Sequence, residues 1–236
     1  MVCTANICRS ATGQFALTAL LREQGISADQ VDVSSAGVAA GSGYSMCETS
    51  EQLLTAQVVE VADATAAHTS RRLTRELAQA ADLILTADRS HRGAVLQLAP
   101  GVRARVFTLR QAARLATWIV GESEILRVAG DVAAGAANPF SADDPRSMTM
   151  PLPDGTRARY AWLVEEMDAN RGMAPRASGP SPNATAASSW HEDDVEDPHV
   201  EGWGLHKQSV PTVVECCRAI AVAYAAVTSA TDNADS

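Results

Sequence analysis

Val2-Cys3-Thr4-Ala5-Asn6-Ile7-Cys8-Arg9-Ser10 runs straight into Ala11 to Gln24, where Ala16 stands one turn from Leu20 and Leu17 one turn from Leu21. That spacing predicts a helix, ended by Gly25 in a left-handed cap. A Cys-x5-Arg loop thus lies at the positive end of a helix dipole. Backbone N–H groups there can converge on a dianion, the Arg9 guanidinium can grip two of its oxygens, and the same field favours the thiolate of Cys3. In-line attack on phosphorus needs such a nucleophile, with fixed positive charge around the equatorial oxygens. Cys3 is therefore the candidate nucleophile and Arg9 the candidate clamp. Thr4, Ala5, Asn6, Ile7, Cys8, Arg9 and Ser10 form the candidate phosphate-binding loop.

Beyond the first helix, Val31-Asp32-Val33-Ser34 reads as a short strand before a turn at Ala36-Gly37, and 50–62 as a helix carrying Leu53, Leu54, Val58 and Val61. Asp82-Leu83-Ile84-Leu85-Thr86 is the clearest buried strand. A helix over about 90–98 and a strand at Arg105-Val106-Phe107 follow. Strands alternating with helices predict an α/β fold, a three-layer arrangement with a small parallel sheet of about four strands and helices on both faces. Further on, an Ala/Gly-rich segment and a Pro-rich one precede a helix over about 160–170, and a final helix over about 210–227 should pack on the sheet. The expected organisation is one domain, 1–236, with a long insertion at about 121–189. Its 171–189 part, rich in Pro, Ser, Gly and Ala, reads as a mobile linker, and 229–236 as a disordered tail.

The formal charge of −9 and the absence of any Lys/Arg run longer than Arg71-Arg72 argue against nucleic acid. No uninterrupted apolar stretch reaches the roughly 18–20 residues of a membrane span, and the first residues lack a signal pattern, so a cytoplasmic location is expected. Five cysteines, Cys3, Cys8, Cys47, Cys216 and Cys217, fit thiols better than a disulfide framework. His191, Asp193, His199 and His206 match no strong ligand template, and a solvated reading is preferred, so no metal is expected.

Cys3-x-x-Asn6-x-Cys8-Arg9-Ser10 resembles the signature loop of the low-molecular-weight protein-tyrosine phosphatases, with Ala5 in place of the usual Gly and Ala11 in place of the usual Pro. Ser35-Ala36-Gly37, His68-Thr69-Ser70-Arg71-Arg72-Leu73 and Asp82 to His91 resemble further segments of that family, in the same order. The resemblance implies that Asn6 holds a strained loop residue, that Ser10 donates to the Cys3 thiolate, and that Cys8 is a thiol able to form a reversible disulfide. Taken singly, Asp88 reads as a helix cap, His68 and His91 as surface groups, and Arg71-Arg72 as a wet face. The run Asp193-Asp194-Val195-Glu196-Asp197-Pro198-His199 resembles the family's late Asp-Pro loop. It makes Asp197 the expected general acid, with crowding by Asp194 and Glu196 favouring its protonated form.

The resemblance implies hydrolysis of phosphotyrosine monoesters on a protein partner, without a cofactor. Ile7 is similar to tyrosine-specific members, whereas Thr there goes with arginine-phosphatase relatives. Tyr44 and Trp203 are candidate walls for a phenyl ring. Two rivals remain. A thioredoxin-coupled arsenate reductase needs relay cysteines, but Cys47 stands early in the chain and Cys216-Cys217 lie in a helix. The second is a non-catalytic phosphate-binding protein. In the resembled family an apolar strand precedes the loop Cys, and here only Met1-Val2 does. The first strand is therefore expected to be largely missing, the native protein to begin upstream, and the chain as written to be less stable and less active.

Overall fold

Four short apolar runs pair into one sheet in the computed structural model, which describes residues 1–58, 61–122, 152–174, 192–199 and 203–229. They are β1 (Val2–Cys3), β2 (Ala36–Gly37), β3 (Ile84–Thr86) and β4 (Val106–Thr108). All pairings are parallel, in the order β2-β1-β3-β4. Successive strand side chains point to opposite faces. Val2, Ile84 and Val106 enter one apolar cluster with Ala78, Val95 and Val102. Leu85 and Phe107 enter a larger one with Leu20, Leu115, Leu163 and Ile220. Helices thus cover both faces, as a parallel sheet requires, and the expected α/β class is observed.

The helices are α1 (Arg9–Glu23), α2 (Glu48–Thr55), α3 (Ala62–Ala66), α4 (Arg75–Ala80), α5 (Arg89–Leu98), α6 (Leu109–Glu122), α7 (Thr156–Ala169) and α8 (His206–Ser229). Gly25, at φ 78°, closes α1, and its N–H bonds back to the Arg22 carbonyl. By length and a mean hydropathy of 1.6, α8 could cross a membrane, although the sequence showed no uninterrupted apolar span. Half of its apolar window is buried against α1, α2, α6 and α7, the environment of a core helix.

The first strand is not missing. β1 is two residues long in a sheet whose other strands have two or three, so two suffice to complete the ladder. The carbonyls of Met1, Val2 and Cys3 accept from the N–H groups of Ala36, Ala87 and Val38 at 3.0, 2.8 and 2.9 Å. Residues 31–34, expected as a strand, lead into β2 without forming one, although the Ser34 carbonyl accepts from the Met1 amino group at 2.7 Å, and Val31 and Val33 pack on the larger cluster. The helix expected over 50–62 is two, α2 and α3. Val58 and Val61 are buried between them, which accounts for their apolar spacing.

Most of the expected insertion, 123–151 and 175–189, lies outside the described residues, as does the tail beyond Ser229. Its described helix, α7, contributes to the core. Leu163 and Met167 of α7 are buried, and the rings of Tyr160 and Tyr224 meet at 4.6 Å. Of residues 171–174, expected to open the linker, Arg171 and Ala174 pack, while Gly172 and Met173 are exposed. Arg171 pairs with Asp168 and lies 3.8 Å from the centre of the Phe107 ring, and Ala174 is buried.

Candidate active site

Residues 4–8 leave the carboxyl end of β1 and enter α1 at Arg9, where an open parallel sheet places its ligands. The carbonyls along this turn are held outward. Those of Cys3, Thr4, Ile7 and Cys8 accept from the N–H groups of Val38, Ala39, Cys47 and Thr12 at 2.8–3.1 Å, and that of Asn6 from His68 Nε2 at 2.8 Å. A planar trans peptide sets each carbonyl opposite the next N–H. The N–H groups of Thr4, Ala5, Ile7, Cys8 and Arg9 therefore face the inside of the loop, forming an anion cradle at the start of a helix.

Asn6 is the strained residue itself, at φ 57°, rather than the support for another. Its amide donates to Ser10 Oγ at 3.0 Å and Ser35 Oγ at 2.8 Å, and its Oδ1 accepts from Arg71 N–H at 3.0 Å. His68 and His91, expected at the surface, are buried. His68 secures the Asn6 carbonyl, and His91 Nε2 meets Thr4 Oγ1 at 2.8 Å. Arg71 stays exposed yet donates through Nε to the Ser35 carbonyl at 2.8 Å.

Cys3 is buried, with Sγ 2.9 Å from Ser10 Oγ. The Arg9 guanidinium reaches Asp88 at 3.2 Å, the Val195 carbonyl at 3.0 Å and Asp197 at 2.5 Å. Asp88 caps α5 through His91 N–H at 3.0 Å. Burial alone would raise its pKa, but hydrogen bonds from His91 and Ser90 outweigh that and hold it well below the usual carboxylate range. Three acids of this run go to three different arginines. Asp193 pairs with Arg114, Asp194 with Arg89, and Asp197 with Arg9.

Cys8 meets two histidines. Its Sγ lies 2.7 Å from His199 Nε2 and 4.0 Å from His206 Nε2, and Cys47 Sγ lies 3.4 Å from the same His206 atom. The hydrogen bond to Cys47, followed by burial, pushes the Cys8 thiol up, while that same bond holds Cys47 down to about 4. Tyr44 is exposed and its ring lies over Gly41. Trp203 opens a turn of 3-10 helix, and its side chain lies outside the described residues. Sequence reasoning gave Ser35 no role of its own, and it set aside Cys47 as a relay thiol and His206 as a metal ligand, because their proximity to the loop is three-dimensional.

The profile of the low molecular weight phosphotyrosine protein phosphatase family matches residues 1–118, spanning the loop, β1 to β4 and most of α6. The chain belongs to that family. Over 105 residues it is 34% identical to the Erwinia amylovora protein described as "Probable low molecular weight protein-tyrosine-phosphatase AmsI", covering 44% of this chain. The matched region spans 65% of that relative's length. The family fold extends to a mutant of the YwlE arginine phosphatase with a phosphorylated active site serine, at TM-score 0.51 and 19% identity, covering 94% of this chain and 91% of that one. A YwlE mutant from Bacillus subtilis gives the same score and identity. At that identity the likeness carries the fold alone. For this phosphatase family member, Cys3, Arg9 and Ser10 stand where the cradle closes, and the loop bearing Asp197 lies across its mouth.

Proposed function

We propose that the protein hydrolyses phosphotyrosine monoesters on protein substrates through a cysteinyl-phosphate intermediate. The Cys3 thiolate attacks phosphorus while the aryl C–O–P linkage breaks at the P–O bond, and Asp197 gives its proton to the departing phenolate. Water, deprotonated by Asp197, then attacks the cysteinyl phosphate, releasing inorganic phosphate and restoring the thiolate. Ser10 Oγ donates to that thiolate, and Arg9 with the inward N–H groups takes the equatorial oxygens.

The observation that carries this reading is the placement of Arg9. Its guanidinium is held by Asp88 and the Val195 carbonyl on one side and by Asp197 on the other, so clamp and acid converge on one cradle with Cys3. An incoming phosphate would take the Arg9 nitrogen that Asp197 holds, freeing the carboxyl for the leaving oxygen. Ile7 favours tyrosine over arginine as the phosphorylated residue.

Cys3→Ser should lose turnover and keep oxyanion binding, and Arg9→Ala should lose both. Phosphate release from phosphotyrosine and phosphoarginine peptides tests the substrate class. Phosphatase activity retained in Cys3→Ser would end the reading, and faster release from phosphoarginine would reassign the substrate.

A further inference from the structure

We propose that Cys8, Cys47, His199 and His206 form a tetrahedral Cys2His2 site for one borderline-soft divalent cation of the zinc class, beside the phosphate loop. The four donor atoms, Sγ of both cysteines and one ring nitrogen of each histidine, all lie within 4.8 Å of one another. Zinc bonds of about 2.3 Å to sulfur and 2.0–2.1 Å to nitrogen set neighbouring donors of a tetrahedron about 3.3–3.8 Å apart. The separations of 2.7, 3.4 and 4.0 Å bracket that range, so small side-chain rotations would seat an ion.

The donors come from four separate places: the phosphate loop, the residue preceding α2, the Asp197 loop and the first turn of α8. Cys8 and His206 are buried, Cys47 is half-buried and His199 is exposed, which provides a closed floor and an entry path. The charges also balance. On binding, any proton still on a thiol goes to solvent, and two thiolates with two neutral imidazoles neutralise a dication, whereas carboxylate-rich sites suit magnesium or calcium. His199 N–H donates to Asp197 Oδ1 at 3.0 Å, so an ion held by His199 and Cys8 would also tie the acid's loop to the phosphate loop.

Cys3→Ser protein is the right material, because zinc cannot then bind at the nucleophile. Under a non-thiol reductant it is dialysed against Zn2+, and bound metal is counted by elemental analysis. One ion per chain is expected, with a higher melting temperature. Co2+ in its place should give tetrahedral visible bands and thiolate-to-cobalt charge transfer. Adding Cys47→Ser should remove the charge-transfer contribution of one thiolate and weaken binding. The deciding variant is His199→Ala, whose exposed side chain can be removed without disturbing the core. It should weaken Zn2+ binding by more than about tenfold, since even groups supporting ligands are worth 10–100-fold. Cys216→Ser, outside the cluster, should bind normally. Binding well below one ion per chain, a cobalt complex without thiolate bands, or unchanged Zn2+ affinity in His199→Ala would overturn the site.

Discussion

A Cβ on Gly37 would stand 2.5 Å from the Thr4 carbonyl oxygen and 2.8 Å from the Asn6 nitrogen, both backbone atoms of the phosphate loop. Neither can swing aside as a side chain would. Gly37→Ala is therefore predicted to destabilise the protein by about 1–3 kcal/mol, as overpacking does, and to lower kcat/KM by displacing the cradle. Urea unfolding and aryl phosphate hydrolysis check the two effects, and a variant with native stability and rate would mean that the loop has room to move. Asp197→Asn should slow hydrolysis most for basic leaving groups, because an acid matters most where the departing oxygen holds its proton tightly. A rate series over phenols of graded acidity reads this out, and the same signature in Asp193→Asn or Asp194→Asn would move the assignment. Asp88 has a depressed folded-state pKa, so its contribution is present above the unfolded value of about 3.9 and is lost as pH falls through the folded one. Urea midpoints from pH 6 downward should fall less steeply for Asp88→Asn than for wild type.

At the scale of elements, α7 lies within a segment that composition marks as an insertion, yet Leu163 is fully buried in the larger cluster. Leu163→Ala is predicted to cost about 2–5 kcal/mol in urea unfolding, an effect that a loosely attached helix would not show. Local patterning reached most elements. The 3.6-residue apolar spacing announced α1 and α8, and the apolar run 82–86 announced β3, because those signals lie within a few neighbouring residues. It missed where α2 ends and read 31–34 as a strand. In both places the apolar residues, buried Val58 and Val61 and partly buried Val31 and Val33, are covered by tertiary packing rather than by the element their spacing suggested. The expectation for the first strand failed for a related reason. An average strand length was applied to a sheet whose neighbouring strands pair over only two or three residues.

For the whole molecule, the cradle joins β1, α1, β2, the residues before α2, the 68–71 segment, α5 and the Asp197 loop, so filling it should stabilise the fold as a unit. Inorganic phosphate or vanadate is predicted to raise the melting temperature of wild type and Cys3→Ser by linkage, and to leave Arg9→Ala nearly unshifted. An equal shift in Arg9→Ala would place the bound anion elsewhere. The chain's own letters determined the α/β class, the loop with its Cys3 nucleophile and Arg9 clamp candidates, and the acidic run containing Asp197. A loop entering a helix and an apolar period are written in contiguous residues. Only the tertiary structure decided that Asn6 is the strained residue, that His68 and His91 brace the loop from within, and that Asp193, Asp194 and Asp197 go to three different arginines. It also decided that Cys8 gathers with Cys47, His199 and His206. Those relations join residues up to 198 positions apart, and side chains so distant are brought together by the burial of apolar surface on both faces of the sheet, which no local spacing records.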